Sequence, residues 1–206
     1  MRSYARHQGT QASIGTLYED MKHNSDEAML SDDTIISYLN CLRMMFVVED
    51  AKAWNPNLHS RTAIRTSDTH YFVDPSIAAA AMGIGPKDLV KDLNTMGLLL
   101  ETLCIRDLRV YAEAIDGKVY HYRDKNELEC DAVVHLRNGA YGLVEVKLGG
   151  ETLIEQGAAS LLKLASKIDT DRMGKPSFMM VITGVGKFAF KRKDGVLVVP
   201  INTLKN

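Results

Sequence analysis

Residues 131–147, DAVVHLRNGAYGLVEVK, determine the fold class of the C-terminal half of the chain. Two apolar runs flank the tetrapeptide Arg137-Asn138-Gly139-Ala140. An Asn-Gly pair between apolar runs is a strong signal for a β-hairpin. The sequence therefore predicts two antiparallel strands, residues 131–136 and 141–147, joined by a turn at 137–140.

The second predicted strand places an acid and a lysine on one face. Alternate residues of a strand share a face, so Glu145 and Lys147 point the same way. The turn brings Asp131, at the start of the first strand, towards these two residues. Two carboxylates can bind a hard cation such as Mg²⁺ or Mn²⁺, which polarises a phosphodiester and activates water. We therefore predict Asp131 and Glu145 as metal ligands and catalytic residues, with Lys147 orienting the water or stabilising charge.

Context distinguishes this acid-x-lysine triplet from others in the chain. The sequence has four such triplets, and only Glu145-Val146-Lys147 lies inside an apolar strand; the others begin at Asp20, Asp50 and Asp116. The alternative interpretation of Asp131, Glu145 and Lys147 is an exposed sheet face with cross-strand charge pairs.

Further acids compete for places in this site. Glu101 lies on an apolar helical stripe, where an acid needs a partner. That partner is a metal ion, or a salt bridge to Arg106 or Arg109. Glu127 and Glu129 are close enough to Asp131 in sequence to substitute for it.

Gln156 is the remaining catalytic candidate. It lies in the predicted helix 151–168, where it can contact a metal-bound water or a phosphate, or can simply be solvated. After this helix, FMMVIT (178–183) is an apolar strand typical of a covered sheet, and FAF and VLVVPI are later strands. We expect an α/β fold with a mixed sheet and helices on both faces.

The N-terminal part has a different pattern. Helices are predicted within residues 12–50, with Ser31 as an N-cap, and a two-strand ribbon follows. Three helices and a ribbon are the order of a winged helix, in which His59, Arg61 and Arg65 would contact DNA. The alternative is a helical packing module without DNA contact, since the presumed recognition helix carries Asp32 and Asp33.

Composition excludes several classes of protein. The chain has 206 residues and a formal net charge of −1, so it has no overall basic field. Its three cysteines are far apart, which argues against a disulfide framework or a zinc site. Without an apolar run of membrane-spanning length or a secretory signal, we expect a cytoplasmic protein with no membrane partner.

Five segments carry a resemblance to a known family: YFVDPSIAAAAMG, LLLETLCIRDLRVYA, VYHYRDKNELECDAVV, GLVEVKLG and GVLVVPI. They resemble the C-terminal half of a large prokaryotic family of predicted ATPases, a half catalogued as domain of unknown function 4143. The similarity covers nearly the whole chain, with its motifs in order.

The resemblance implies an AAA-type ATPase domain, in cis or in trans, followed by a winged helix and a fold of the PD-(D/E)xK nuclease superfamily. It implies a restriction-endonuclease-like mixed sheet flanked by helices over residues 81–206, preceded by a winged-helix-like module over 1–80. Asp131, Glu145 and Lys147 fall on that superfamily's acid and ExK positions, and Glu101 on its helical acid.

Two functional hypotheses follow. The first is a Mg²⁺- or Mn²⁺-dependent nuclease that hydrolyses phosphodiester bonds of DNA. The second is a non-catalytic module that binds DNA or protein and regulates an AAA-type ATPase. The intact acid, acid, lysine order favours the first, and the neutral net charge favours the second.

Overall fold

The computed structural model describes residues 1–24, 30–59 and 64–204, which form two compact units. The first unit comprises Met1–Ala51 and Asp68–Leu103, and the second comprises Lys52–Ser67 and Cys104–Asn206. Along the sequence, the chain passes from the first unit to the second at residue 52, returns at residue 68 and enters the second again at residue 104. The predicted boundary between a module over residues 1–80 and a domain over residues 81–206 stays a prediction.

Short helices make up most of the first unit. They are α1 (Arg2–Arg6), α2 (Ile14–Asn24), α3 (Asp32–Met44), α4 (Pro75–Met82) and α5 (Pro86–Leu89), followed by the start of α6 (Leu93–Glu113). Ser31 caps α3 as predicted, since its hydroxyl accepts the Thr34 N–H at 3.2 Å. Apolar side chains from these helices and from Val48 and Phe72 form a common core.

The ribbon of the first unit joins residues 47–51 to residues 69–73. Val48 pairs with Phe72 and Ala51 with Thr69, both antiparallel. The stretch between the two arms, which contains the predicted DNA-contacting residues, belongs to the second unit. The winged-helix assignment therefore stays a prediction, and its basic residues are not part of this ribbon.

His70 and Asp50 form a largely buried ion pair in the first unit. The His70 Nδ1 lies 2.9 Å from Asp50 Oδ1, and its Nε2 lies 2.9 Å from the Ala12 carbonyl oxygen. Both ring nitrogens thus face acceptors, which suits a doubly protonated ring. Burial opposes the charged form, but the hydrogen bond and the charge of Asp50 outweigh it and raise the pKa of His70.

Stability should therefore depend on pH through His70. A pKa raised in the folded state gives stabilisation that is complete below the ordinary pKa of histidine and is lost as the pH rises through the raised value. We expect the advantage of wild type over His70→Asn in urea denaturation to shrink by about 1–2 kcal/mol between acidic and alkaline pH. Parallel stability profiles of the two proteins would contradict this.

The described residues of the second unit form a six-stranded mixed sheet in the order β1-β2-β3-β4-β6-β5. The strands are β1 (Gly117–Arg123), β2 (Glu129–Leu136), β3 (Tyr141–Lys147), β4 (Phe178–Thr183), β5 (Phe190–Lys191) and β6 (Leu197–Pro200). β3, β4 and β6 are mutually parallel, whereas the other neighbours are antiparallel. The predicted mixed α/β fold is confirmed, and so is the hairpin, whose Gly139 has a φ of 90°.

Helix α7 (Glu151–Lys167) covers the central strands. Its buried residues Ala158, Leu161 and Leu164 join the core of the sheet. The short helix α8 (Thr170–Met173) follows before β4. No helix in the described ranges is long and apolar enough to span a bilayer.

Ala53, Trp54 and Arg65 lie along the outer edge of β1. Ala53 bridges His121 in parallel, and the Trp54 N–H donates to the His121 carbonyl at 2.7 Å. The Trp54 side chain is buried in the core of the sheet. An edge strand exposes unpaired backbone groups, and this segment satisfies some of those of β1.

Candidate functional site

Asp131 is fixed against the end of β3. The paired residues of β2 and β3 extend as far as Ala132 and Val144, and Asp131 lies just beyond that pair. There its carboxylate replaces a backbone acceptor, since Oδ2 accepts the Val146 N–H at 2.7 Å. The hairpin turn thus brings Asp131 close to β3, and this hydrogen bond fixes the orientation of its carboxylate.

Lys147 bridges the two carboxylates. Its Nζ lies 2.6 Å from Glu145 Oε2 and 3.8 Å from Asp131 Oδ2. The exposed fraction of the side chain is 4% for Glu145, 15% for Asp131 and 26% for Lys147. The cluster therefore has a buried floor at Glu145 and opens to solvent at Lys147.

Burial controls the protonation of Glu145. It raises the pKa of this carboxyl above its ordinary value, and the negative charge of Asp131 raises it further, although Lys147 opposes both effects. Two carboxylates so close together repel each other when both are charged. This repulsion favours either a positive charge shared between them or a proton on one of them. A cation that binds here competes with both Lys147 and that proton.

Gly157 lets α7 approach the cluster closely. A Cβ at this position would lie 3.3 Å from Val181 Cγ2 and 3.4 Å from both Glu145 Cβ and Lys147 Cγ. Glycine in a helix interior costs about 1 kcal/mol relative to alanine, so close packing is a physical reason for it here. Glu145 owes part of its burial to this contact.

Substitution of Gly157 by leucine should therefore disturb the site. We expect Gly157→Leu to lower the free energy of unfolding by about 1–3 kcal/mol through overpacking, and to weaken any cation binding by displacing Glu145. Ala159→Leu, at an exposed position on the same helix, is the matched control. Equal unfolding midpoints for the two variants would show that α7 tolerates the extra volume.

Glu101 and Gln156 stay predicted site residues. The Glu101 Oε1 accepts a 2.5 Å hydrogen bond from the Tyr71 hydroxyl within the first unit. Gln156 is exposed on α7, next to Gly157. Nowhere in residues 1–24, 30–59 and 64–204 do three His, Cys, Asp or Glu side chains come together as possible metal ligands. The described donor set is therefore the pair Asp131 and Glu145.

The acids that were alternatives to Asp131 are held by arginines. The Arg123 Nε lies 2.8 Å from Glu129 Oε1. Glu127 pairs with both Arg123 and Arg65. These contacts direct Glu127 and Glu129 to guanidinium groups, whereas Asp131 faces Val146 and Lys147.

Two of the three predicted basic residues, His59 and Arg65, lie in the described ranges and contact different elements of the second unit. His59 is exposed, and its backbone N–H donates to the Lys167 carbonyl at 2.9 Å. The backbone N–H of Arg65 donates to the Arg123 carbonyl, and the Arg65 side chain pairs with Glu127. Arg61 lies outside the described residues. DNA binding by these three residues stays a prediction, weakened by the neutralisation of Arg65.

One group of exposed residues lies outside the predicted site residues. In residues 187–193, KFAFKRK, two phenylalanines lie between basic residues, and Phe188 and Phe190 are both exposed. The interleaving of lysine with phenylalanine was a signal available in the sequence. Because short strands often carry aromatic core residues, the exposure of these rings could not be predicted from it.

Comparison with solved structures gives a weak similarity. A chain of the half-complex from the tetradecameric assembly of Thermococcus gammatolerans McrB AAA+ hexamers with bound McrC matches with 10% sequence identity and a TM-score of 0.34. The match covers 88% of this chain and 65% of that chain, so this protein spans less than two thirds of its neighbour. No curated protein matches.

Two families match the chain in succession. Residues 1–88 match a family described as Domain of unknown function (DUF8612). Residues 96–204, more than half of the chain, match the family described as Domain of unknown function (DUF4143) and include the sheet, α7, Asp131, Glu145 and Lys147. The chain therefore belongs to the DUF4143 family.

Proposed function

We propose that the chain carries a divalent-metal-dependent phosphodiesterase site that hydrolyses DNA. One observation carries the proposal: the Lys147 ammonium lies against both carboxylates of Asp131 and Glu145 at the end of β3. An acid pair with an adjacent lysine can hold a cation, a water molecule and a phosphate within one small volume. The resemblance to PD-(D/E)xK nucleases implies the same roles.

The donor atoms suit Mg²⁺ or Mn²⁺. Contacts among the described residues use Asp131 Oδ2 and Glu145 Oε2, which leaves Oδ1 and Oε1 for a cation. Carboxylate oxygens are the ligands that Mg²⁺ prefers, with waters completing its shell. Such an ion, when bound, supplies Lewis acidity and lowers the pKa of a coordinated water.

The protein residues around such an ion would have separate roles. The Val146 N–H holds the Asp131 carboxylate in place, and α7 shields Glu145 from water. A second positive charge held by these carboxylates would repel the Lys147 ammonium and so direct it towards water or a phosphate oxygen. Lys147 would hold the attacking water or the developing negative charge.

The wild-type protein provides the direct test. We expect calorimetric titration to show Mn²⁺ and Mg²⁺ binding that strengthens with pH, because Glu145 must lose its proton. With either ion, labelled single-stranded DNA, duplex DNA and RNA should be assayed for cleavage, with EDTA as the control. Absence of both metal binding and cleavage would overturn the proposal.

We further propose that this site works with an AAA-type ATPase domain, in cis or in trans. The support is the family resemblance, which implies such a domain upstream.

A non-catalytic regulatory module is the second candidate function. The observation that favours it is the small number of possible metal ligands. The described residues bring no group of three such side chains together, which leaves the two carboxylates of the pair. In that case Lys147 is a permanent counter-ion for Glu145 and Asp131, and the wild-type titration shows no heat of metal binding.

A further inference from the structure

A surface of basic and aromatic side chains follows β4. We call it the aromatic–basic surface and define it by Lys187, Phe188, Phe190, Lys191 and Lys193, all of which are exposed. The exposed fraction is 69% for Phe188 and 46% for Phe190. Neighbouring exposed phenylalanines are unfavourable in water, so they indicate a surface that a partner covers.

The two rings are held as a pair. Their centroids are 6.3 Å apart with an interplanar angle of 62°. Phe190 lies in β5 and pairs with Val198 of β6, which fixes its backbone. Aromatic faces presented by an ordered strand are platforms on which unpaired bases stack.

The lysines of this surface supply positive charge. Among the described residues, Lys187, Lys191 and Lys193 form no ion pair, whereas Arg192 between them is bound by Glu155 and Asp194. Three uncompensated charges beside two stacking rings match the alternation of phosphates and bases along a single strand. In a chain of net charge −1, this is a local basic surplus.

The loop that leads to this surface contacts the end of β3. The Gly184 N–H donates to the Lys147 carbonyl at 3.1 Å. The Val185 side chain lies against Gly149, with its Cγ2 2.4 Å from where a Cβ would stand. The aromatic–basic surface therefore begins three residues after a direct contact with the candidate site.

The strand register connects the same two regions. Phe190 pairs with Val198, Val198 with Val181, and Val181 with Glu145, so these residues form one row across the sheet. With neighbouring strands about 4.8 Å apart, the backbones of Phe190 and Glu145 are about 14 Å apart. A bound oligonucleotide several residues long spans this distance.

We propose that the aromatic–basic surface binds single-stranded nucleic acid, with bases on Phe188 and Phe190 and phosphates at Lys187, Lys191 and Lys193. Duplexes bind less well because their base faces are already stacked. Binding of the strand does not require that the protein cleaves it. Only the idea that this surface delivers the strand to Glu145 rests on the proposed function.

The test measures binding without chemistry. Fluorescence anisotropy of a labelled 20-nucleotide oligo-dT, in EDTA, compares the full chain with its variants. We expect the double variant Phe188→Leu/Phe190→Leu to bind at least about tenfold more weakly, because leucine keeps apolar area but cannot stack. Phe188→Trp/Phe190→Trp should retain binding.

The charged residues are tested separately. The triple variant Lys187→Ala/Lys191→Ala/Lys193→Ala should bind more weakly, and the slope of log affinity against log salt should fall by about 2, or 0.7 for each lost phosphate contact. The matched control is Lys118→Ala/Lys125→Ala/Lys163→Ala, which removes equal charge from exposed positions of the same unit.

Several results would overturn the inference. They are wild-type affinity in the leucine variant, an equal loss in the control triple variant, and binding of phosphatidylserine vesicles but not oligonucleotides. The last would make this a membrane-binding surface. Oligo-dT binding without Mn²⁺-dependent cleavage would refute the proposed function alone, and cleavage with unchanged affinity in the leucine variant would refute this inference alone.

Discussion

Lys147→Ala is expected to lose most cleavage while keeping its metal. Lysine is not a ligand of Mg²⁺, so the carboxylates of Asp131 and Glu145 should still bind the ion, and more easily once their counter-ion is gone. The attacking water or the transition state, however, loses its positive charge, which should lower the rate by about 10²–10³-fold. Calorimetric Mn²⁺ titration and single-turnover cleavage measure the two effects separately.

The control for this variant is Lys163→Ala, an exposed lysine on α7. It should change neither affinity nor rate. A Lys147→Ala protein that cuts at the wild-type rate would leave Lys147 as a counter-ion only, and would remove the observation on which the proposed function rests.

The variants Asp131→Asn and Glu145→Gln test whether the two carboxylates form an active metal site or only an inactive charged cluster. Both should lose metal binding and cleavage, because neutral amides are weaker ligands for Mg²⁺. Without metal, either change relieves the repulsion between two close carboxylates and should not destabilise the fold through charge. Asp171→Asn, at an exposed position, is the control. If the wild type binds no metal and neither variant is stabilised, the catalytic interpretation has no support.

Asp124→Ala is expected to cause the largest loss of stability among the substitutions considered. The Asp124 side chain is 0% exposed and accepts the Lys167 Nζ at 2.6 Å. It also accepts the backbone N–H groups of Asn126, at 2.8 Å, and Leu128, at 3.1 Å. Removal of one member of a buried pair costs about 3–5 kcal/mol, because the remaining charge is left without a partner.

Urea denaturation of a small set of variants tests this account. Lys167→Met in the Asp124→Ala background should recover part of the loss, since it removes the unpaired ammonium. Asp124→Asn should be milder than alanine because an amide oxygen still accepts the backbone N–H groups. A loss below about 1 kcal/mol for Asp124→Ala would place this pair with ordinary surface salt bridges.

Local patterns were sufficient to predict the hairpin. The Asn138-Gly139 turn and the flanking apolar runs depend on neighbouring residues, and the structure has β2 and β3 where they were expected. The common face of Glu145 and Lys147 likewise follows from strand periodicity. The Ser31 cap of α3 is set by residues three positions apart.

Long-range contacts decided what the sequence analysis could not predict. The segment after residue 51 was predicted as part of a ribbon in the N-terminal part, yet Ala53, Trp54 and Arg65 pair with β1 in the second unit. Pairing with a distant edge strand leaves no periodic signal in the segment itself. The same holds for Arg65, whose partner Glu127 is 62 residues away.

By itself, the sequence determined the mixed α/β class, the hairpin and the common face of Glu145 and Lys147, because alternation and turn chemistry act over a few residues. Only the tertiary structure decided that Val146 orients Asp131, that Gly157 of α7 buries Glu145, and that Phe188 and Phe190 are exposed. Each of these depends on which surfaces meet after folding, and burial and hydrogen bonding between distant residues are properties of that packing.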